Sequence, residues 1–365
     1  MSVQYVKLGD VCAKDSSNIA QKDLKDCFGK YPVYGAGGYI QNVDFYHQED
    51  EYIAIVKDGA GVGRAMILPA KSSVIGTMQY IIPDKNKVDM YYLYYAIINM
   101  ALGKYFSGAT IPHIYFKDYQ KEIFKLPDLE TQKKIADNLK NIDLIIAKKN
   151  KQIGLFNELV KSRFIEMFGD VVINSKNWEQ ATLKNVAIGK LTYGSGASAI
   201  NFNGKIRYIR ITDISNDGEL NDDIKSPSIC DNKYLLNDGD ILFARSGATV
   251  GKTFCFNKKR YGEAIYAGYL IRMIPDKKRV LPIYVFYYTK TDYYMSFISK
   301  AQKAVAQPNI NAQEYGDLKI CVPPIELQQR FVDFVKQTDK SKLEIQKSLD
   351  KLEILKKSLM QQYFG

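Results

Sequence analysis

Histidine, tryptophan and paired cysteines are scarce in this sequence of 365 residues. It contains one tryptophan and two histidines, His47 and His113, which leaves little material for a histidine-based metal centre or a catalytic triad. Its five cysteines are scattered without a Cys-x-x-Cys pair, so neither a zinc site nor a disulfide framework is expected. We therefore expect no metal site and no catalytic residues of these kinds.

Long hydrophobic runs are also missing. The most apolar stretch, residues 91–102, is shorter than the roughly 20 residues that a helix needs to span a bilayer. The first residues lack the charged and apolar pattern of a secretory signal. We expect a cytoplasmic protein with no membrane partner.

Positive charge is in excess. The chain has 51 Lys and Arg against 40 Asp and Glu, a formal net charge of +11. Hydrophobic residues make up 46% and charged residues 25%, the balance of a globular rather than a disordered chain. Taken alone, the excess favours a polyanionic partner, and both nucleic acid and an acidic membrane surface have that charge.

The most informative feature is an internal repeat. When residues 126–169 are laid over residues 322–365 without a gap, 12 of the 44 pairs are identical, whereas chance gives about one in twenty. Similarity continues upstream at a smaller shift, for example between residues 58–64 and 246–252. The sequence therefore predicts the order globular domain, helix, globular domain, helix.

Each repeated tail has the pattern of a long amphipathic helix. Pro127 and Pro323 suit the first turn of a helix, and Gly169 and Gly365 suit the C-terminal cap. Between them, apolar residues recur at alternating steps of four and three, the 3.5-residue period of a coiled coil. The predicted helix–helix interface consists of Ile135, Leu139, Ile142, Ile146, Ile153, Phe156, Val160, Phe331, Val335, Ile345, Leu349, Leu352 and Leu359.

Neither helix can bury its apolar stripe alone. We expect the two helices to pack on each other as an antiparallel coiled coil. A pseudo-two-fold axis would then relate the two copies and place the globular domains at opposite ends. An ordinary dimerisation coiled coil is the alternative on helical periodicity alone.

The two globular copies show mixed α/β patterns. Strand composition marks residues 52–56, 78–82 and 240–244, and residues 91–101 and 283–294 are predicted helices. We expect the many tyrosines of these two helices to lie in the core rather than to stack on bases. The predicted fold class is α+β, with two tandem mixed α/β domains separated by two long helices.

A glycine-rich loop occurs in both copies. Residues 247–253 have three residues between their glycines, where a Walker A nucleotide-binding loop has four. The counterpart at 59–65 also lacks the hydroxyl that holds magnesium, so no ATP site is expected. Two interpretations stay open: a turn that brings backbone amides and Arg64 or Lys252 to a DNA backbone, or a plain β-turn with a surface cation.

Further polar loops precede each return to a long helix, at residues 107–113 and 303–311. Asparagine and glutamine suit adenine edges and Arg210 or Arg245 suits guanine in the major groove, although such residues are also common in turns. The sequence has no motif for amino-methyl transfer, S-adenosylmethionine binding or nuclease activity. The candidate DNA-binding residues are Tyr34, Lys57, Arg64, Thr110, His113, Arg210, Arg245, Ser246, Thr249, Lys252, Gln307, Asn309 and Asn311.

Both long helices start with a shared motif, Leu126-Pro-Asp-Leu-Glu-Thr-Gln132 and Val322-Pro-Pro-Ile-Glu-Leu-Gln328. The tyrosine-rich residues 91–95, the Ser-Gly-Ala-Thr segment 107–110 and the Trp178-Glu179 start of the second domain accompany it. Each motif alone is weak evidence for a family, but the order of the motifs along the chain occurs twice and is specific. In this combination the chain resembles the specificity subunits of type I restriction-modification enzymes.

The resemblance implies that residues 1–127 and 173–322 are target recognition domains, each reading one half of an interrupted site in double-stranded DNA. Residues 128–172 and 323–365 would be the helices that set the spacing of the half-sites and dock two methyltransferase subunits. The chain itself would be non-catalytic and bind no cofactor. S-adenosylmethionine, ATP and magnesium would be bound by the methyltransferase and by restriction subunits with motor and nuclease activity, in the nucleoid-associated cytoplasm of a bacterium or archaeon.

Other functions are weighed against this one. A related bipartite-site restriction system, whose partner fuses methyltransferase and nuclease, has the same sequence signature. A small nucleotidase built on the glycine loop predicts ATP turnover that depends on Lys252. A pure coiled-coil scaffold predicts no DNA binding at low salt.

Overall fold

The computed structural model describes residues 4–108, 112–303 and 308–365. Two of the candidate DNA-binding residues, Thr110 and Gln307, lie outside the described residues. The described residues form helices and mostly short strands, which confirms the α+β fold class.

The chain divides into two compact units. Unit 1 comprises Met1–Lys151 and Gln346–Gly365, and unit 2 comprises Gln152–Ile345. The chain passes between the units inside its two long helices, so each helix contributes to both units. The four domain limits given above stay a prediction.

Unit 1 is built around an antiparallel four-stranded sheet. Its strands are β1 (Gln4–Lys7), β2 (Cys12–Ser16), β3 (Tyr31–Gly35), β4 (Gly38–Val43), β5 (Tyr52–Val56), β6 (Ala65–Leu68), β7 (Ser73–Val74), β8 (Met78–Pro83) and β9 (Ile123–Leu126). Its helices are α1 (Met90–Met100), α2 (Phe116–Tyr119), the first part of α3 (Leu129–Phe168) and the last part of the C-terminal helix α8 (Ile325–Phe364). The main sheet has the order β2-β8-β5-β6, a second sheet the order β4-β3-β7, and β1 pairs with β9.

Unit 2 repeats the main sheet and the terminal strand pair of unit 1. Its strands are β10 (Glu179–Thr182), β11 (Thr192–Tyr193), β12 (Ala199–Asn201), β13 (Arg207–Ile209), β14 (Lys225–Pro227), β15 (Ile241–Ala244), β16 (Thr253–Cys255), β17 (Ala264–Tyr266), β18 (Leu270–Met273) and β19 (Lys319–Val322). Its helices are the last part of α3, α4 (Lys258–Tyr261), α5 (Pro282–Tyr288), α6 (Asp292–Lys303), α7 (Ala312–Asp317) and the first part of α8. The main sheet has the order β11-β18-β15-β16, the counterpart of β2-β8-β5-β6, and β10 pairs with β19 as β1 pairs with β9. The other strands of unit 2 form the pairs β12-β14 and β13-β17.

The strands and the first helix predicted from composition are confirmed. Residues 52–56, 78–82 and 240–244 correspond to β5, β8 and β15, and residues 91–101 correspond to α1. These strands are short and almost wholly buried, because both faces of each main sheet are covered.

The single helix predicted over residues 283–294 is wrong, because the chain breaks there into α5 and α6. Thr289 and Thr291 lie at the break, and their hydroxyls donate hydrogen bonds of 2.7 Å to the carbonyl oxygens of Phe286 and Tyr288. Threonine side chains that bind nearby carbonyls in this way offer the backbone an alternative to a continuous helix.

The tyrosines of these helices belong to the core, as expected. Tyr92 and Tyr284 occupy equivalent positions in the two units and are fully buried. Their hydroxyls donate to the carbonyl oxygens of Lys125 and Cys321, each at 2.7 Å. A buried tyrosine whose hydroxyl is satisfied in this way holds the helix against the last strand of its domain.

Both long helices have 40 residues. Contrary to expectation, Pro127 and Pro323 lie two residues before the first helical residue rather than in the first turn. In α3, Asp128 takes the capping position instead, and its carboxylate accepts a 2.9 Å bond from the Thr131 amide. Gly169 ends α3 with a φ of +79°, as a C-terminal glycine cap does.

Within unit 1 the two long helices pack antiparallel. The carbonyl oxygen of Gly365, just after α8, accepts a 2.7 Å bond from Lys125, just before α3. Further along α3, Asp143 forms an ion pair with Lys356, which lies earlier in α8. Phe364 packs on the Tyr92 ring at 5.0 Å between centroids, so the helix pair is continuous with the domain core.

Within unit 2 the same arrangement occurs with the other ends of the helices. Phe164 of α3 packs on Phe331 of α8 at 5.3 Å, and the Arg163 guanidinium lies 5.8 Å from the Phe334 ring. Phe168 packs on Tyr284 at 4.8 Å. All 13 side chains predicted for the helix–helix interface are buried or half-buried.

No helix of the part of the chain that the structure describes is long and apolar enough to cross a membrane.

Candidate nucleic-acid interface

In unit 2, the glycine loop is fastened to the segment that precedes α7. The Gly247 amide donates to the Pro308 carbonyl oxygen at 3.0 Å, and the Ile310 amide donates to the Arg245 carbonyl oxygen at 2.8 Å. Ser246 and Asn309 form an antiparallel bridge between these two bonds. Arg245 and Asn309, far apart in sequence, are thereby neighbours.

Unit 1 contains the same junction. The Gly59 amide donates to the Pro112 carbonyl oxygen at 2.9 Å, and the Ile114 amide donates to the Lys57 carbonyl oxygen at 3.0 Å. Asp58 and His113 form the corresponding bridge. Lys57 therefore stands where unit 2 has Arg245, and His113 stands where unit 2 has Asn309.

The cation of the unit 2 junction rests on an aromatic ring. The Arg245 guanidinium lies 4.7 Å from the centroid of Tyr193, and its Nε donates to Asn309 Oδ1 at 3.1 Å. Tyr193 is 42% exposed, and Tyr269, whose carbonyl oxygen accepts from the Arg245 amide, is 62% exposed. This combination of cation and accessible rings is suited to contact with nucleic acid.

The unit 1 junction carries a small charge cluster. The Asp58 carboxylate pairs with Lys57 Nζ at 3.0 Å and also contacts His113 Nδ1. The His113 ring lies 4.1 Å from the ring of Tyr115, over which the Lys117 ammonium is placed at 5.1 Å. An open cavity of about 530 Å³ adjoins the cluster, and its positively charged lining residues are Lys14, Lys57 and Lys117.

The glycine loops themselves are held by internal hydrogen bonds. Besides Gly59 and Gly247, the amides of Gly63 and Gly251 donate to the carbonyl oxygens of Val56 and Ala244 at 2.8 and 3.0 Å. Because these amides already have partners within the unit, the geometry favours the β-turn interpretation over a phosphate-binding one.

The cationic residues that follow these loops also have internal partners. Lys252 Nζ donates to the Ile214 carbonyl oxygen at 2.9 Å, and the Arg64 guanidinium contacts the Ala36 carbonyl oxygen. Each cation fastens its loop to a neighbouring segment.

Arg210 is engaged by two carboxylates. Its guanidinium lies 2.6 Å from Asp213, which is fully buried, and 2.9 Å from Asp223. Hydrogen bonding to Asp213 raises the pKa of Arg210, and the same guanidinium lowers the pKa of the Asp223 carboxyl. With its Nε and Nη2 atoms occupied in this way, Arg210 is a weaker candidate for guanine than Arg245.

Of the remaining candidates, Thr249 and Asn311 make local hydrogen bonds, and Tyr34 lies on a strand. Thr249 Oγ1 donates to the Ser246 carbonyl oxygen at 3.0 Å, and Asn311 caps α7 by accepting from the Gln313 and Glu314 amides. Tyr34 is half-buried on β3, where burial raises the pKa of its hydroxyl. Their part in DNA binding stays a prediction.

Sequence reasoning missed the aromatic members of both junctions. Tyr193 lies on β11, beside β18 in the main sheet, more than fifty residues before Arg245. Tyr115 lies two residues after His113, just beyond the polar loop, so its position near a candidate was the one available signal. Among residues 4–108, 112–303 and 308–365 there is no cluster of His, Cys, Asp and Glu that could hold a metal ion.

Residues 2–155 and 175–355 match the family model described as the type I restriction modification DNA specificity domain. The chain therefore belongs to the family of type I restriction-modification specificity subunits, which confirms the resemblance stated from the sequence.

Named relatives agree with this assignment. The chain is 26% identical over 344 residues to the type I restriction enzyme MjaVIII specificity subunit of Methanocaldococcus jannaschii, covering 88% of this chain and 80% of that protein. It is also 26% identical over 298 residues to the putative MjaX specificity subunit of the same organism, covering 76% and 68%.

Solved structures share the fold. The S subunit of the type I restriction-modification system from M. genitalium superposes with a TM-score of 0.64 at 16% identity, covering 100% of this chain and 96% of that chain. A chain from a study of complex assembly and conformational transition of the type I R-M system superposes with a TM-score of 0.57 at 13% identity, covering 99% and 97%.

Proposed function

We propose that this chain recognises a bipartite, asymmetric site in double-stranded DNA, with one target recognition domain for each half, and has no catalytic activity of its own. Residues 1–127 and 173–322 are assigned to the two domains, and residues 128–172 and 323–365 to the helices between and after them. Membership of the specificity subunit family supports the assignment.

The observation that carries the proposal is the duplicated junction. Each unit presents a cation, Lys57 or Arg245, at the same point of the same hydrogen-bonded loop, next to a polar side chain and an accessible aromatic ring. The surrounding residues differ between the units, with Asp58 and His113 in one and Ser246 and Asn309 in the other. Two readers with one framework and different side chains suit two different half-sites.

We infer that the partners supply the chemistry. Two methyltransferase subunits bind S-adenosylmethionine and methylate an adenine that has been flipped out of the duplex. Restriction subunits with motor and nuclease activity bind ATP and magnesium. The chain itself then needs neither cofactor nor metal.

Exposed leucines on the long helices support a pair of equivalent docking positions. Leu159 of α3 and Leu355 of α8 are identical residues at the constant shift of the repeat, and they are 47% and 46% exposed. An exposed leucine at the same position of both helices suits one copy of the same partner on each.

The test is to express the chain with its methyltransferase subunit in a host that lacks adenine methylation and to map every modified adenine. The proposal predicts modification at one sequence made of two specific parts separated by a fixed number of unspecified base pairs. Methylation without sequence preference, or at a continuous site, would contradict it.

A further inference from the structure

Arg245 differs from the other arginines of its domain because its terminal nitrogen atoms, Nη1 and Nη2, have no hydrogen-bond partner among the described residues. Residues 173–322 contain six arginines. Four of them form ion pairs with carboxylates: Arg210, Arg260, Arg272 and Arg279. A fifth, Arg207, is only 7% exposed, and its Nη2 donates to a carbonyl oxygen. Arg245 has no carboxylate partner among the described residues.

Two side chains fix the orientation of the Arg245 guanidinium. The guanidinium carbon lies over the Tyr193 ring, 4.7 Å from the ring centroid, and Asn309 Oδ1 accepts the Nε proton at 3.1 Å. Both contacts leave the Nη1 and Nη2 edge unused. That edge is the two-pronged donor that matches the O6 and N7 acceptors of guanine in the major groove.

The two supporting residues are themselves held in place. The Tyr193 hydroxyl accepts a 3.0 Å bond from the Ala312 amide at the start of α7, and Asn311 caps that helix. Asn309 lies in the bridge to Ser246 that fastens the glycine loop. The guanidinium is therefore oriented before any ligand arrives, which lowers the entropic cost of ordering a long side chain on binding.

Resting on the function proposed above, we propose that Arg245 reads a guanine in the half-site of unit 2, with Tyr193 and Asn309 as positioning residues. The equivalent residue of unit 1, Lys57, lacks a planar two-pronged donor and is paired with Asp58. The assignment of a guanine therefore applies to the second domain alone.

The experiment uses the full chain assembled with its methyltransferase subunit and a library of duplex DNA randomised across the mapped site. Methylated molecules are sequenced, and the preference at each base pair is compared between variants. Arg245→Lys keeps the charge but removes the two-pronged donor formed by Nη1 and Nη2. The preference for one G·C pair should therefore fall on the order of 10-fold or more, with the preferences at the other positions unchanged. Arg260→Lys, at an exposed arginine paired with Glu219, is the matched control and should leave every preference unchanged.

The positioning residues are tested at the same base pair. Tyr193→Ala and Asn309→Ala should weaken the preference for that G·C pair, whereas Tyr193→Phe, which keeps the ring, should retain most of it. If both alanine variants keep the full preference at normal thermal stability, the positioning roles are wrong.

The outcomes separate the two proposals. An unchanged preference profile for Arg245→Lys overturns the guanine assignment, and so does a uniform loss at all sequences, which would identify Arg245 as a backbone contact. Either result leaves sequence recognition by the chain intact. A wild-type complex with no preference at any position would instead overturn the proposed function itself.

Discussion

Gln132 and Gln328 occupy the same position of the repeated motif, and each joins a long helix to the domain before it. The Gln132 side chain accepts from the Asp89 amide at 2.8 Å and donates to the Lys87 and Pro127 carbonyl oxygens. Gln328 makes the three corresponding bonds and is fully buried. The repetition of this glutamine has a structural cause, because its side-chain amide satisfies three backbone groups that are wholly or partly shielded from water.

Replacing Gln328 with alanine should therefore be strongly destabilising. We expect Gln328→Ala to lower the free energy of unfolding by about 3 kcal/mol, because it leaves one buried carbonyl group, and one amide and one carbonyl group that are partly buried, without their partners. Urea denaturation measures the change. Gln329→Ala is the matched control, since Gln329 is exposed and bonds only to Asp333 one turn away among the described residues; equal effects of the two variants would contradict this account.

Arg210 should contribute to stability more than to base preference. Arg210→Ala leaves the buried Asp213 carboxylate without its guanidinium partner, which we expect to lower the free energy of unfolding by about 3 kcal/mol. Thermal and urea denaturation measure this loss, and Lys233→Ala, at a surface ion pair with Asp231, should cause no measurable change. A stable Arg210→Ala variant with altered base preference would return Arg210 to the base-reading candidates.

At the scale of elements, the two glycines of each loop have different roles. A Cβ atom on Gly63 would lie 2.3 Å from the Gly103 amide nitrogen, whereas a Cβ on Gly59 would meet no atom of the described residues within 4 Å. Both glycines have φ values near +83°, at +84° and +82°, so the backbone strain of an alanine is similar at the two positions. The difference between them is a steric one.

Gly63→Ala should therefore cost more stability than Gly59→Ala. We expect a further loss of about 1–3 kcal/mol in the free energy of unfolding, because the loop must shift away from Gly103. Paired denaturation curves of the two variants give the difference directly. Equal stability would mean that the close approach at Gly63 relaxes without cost.

The exposed leucines of the two long helices lead to a prediction about assembly. Leu159→Gln or Leu355→Gln should each weaken the binding of one of two methyltransferase subunits about 10-fold, because burying a leucine contributes about 1.5–3 kcal/mol. Native mass spectrometry of the complex measures the stoichiometry. Lys161→Gln and Lys357→Gln, exposed residues about 200° around each helix, are the controls; two bound subunits in every variant would contradict the docking assignment.

Elements with a strong local pattern were predictable, and those set by tertiary contacts were not. The 40-residue helices could be predicted from the apolar stripe with a 3.5-residue period that occurs in both copies. Strands β5, β8 and β15 could be predicted from short runs of strand-forming residues between turns. The break between α5 and α6 was missed because it depends on the hydrogen bonds of the Thr289 hydroxyl. This hydroxyl donates to the Phe286 carbonyl oxygen and shares a 2.6 Å hydrogen bond with the hydroxyl of Thr253, which is distant in sequence.

At the scale of the whole molecule, the repeat predicted the architecture better than the site. It identified the equivalent loops and placed Arg245 and Asn309 among the candidates. It could not show that Arg245 and Asn309 touch, or that Tyr193 supports them, because sheet pairing and the bridge at Asn309 bring these residues together. Contacts between residues far apart in sequence depend on the fold and leave no local signal.

The most direct test of the account asks whether the two long helices set the spacing of a bipartite site. Deleting residues 147–153 and 344–350 removes seven residues from each helix and keeps the 3.5-residue period of the apolar stripe. The deletion shortens each helix by about 10 Å, close to three base pairs of duplex. Mapping of methylated adenines in cells that express this variant with its methyltransferase subunit should show the same two half-sites with a gap shorter by about three base pairs. The original gap, retained with full modification, would contradict the account.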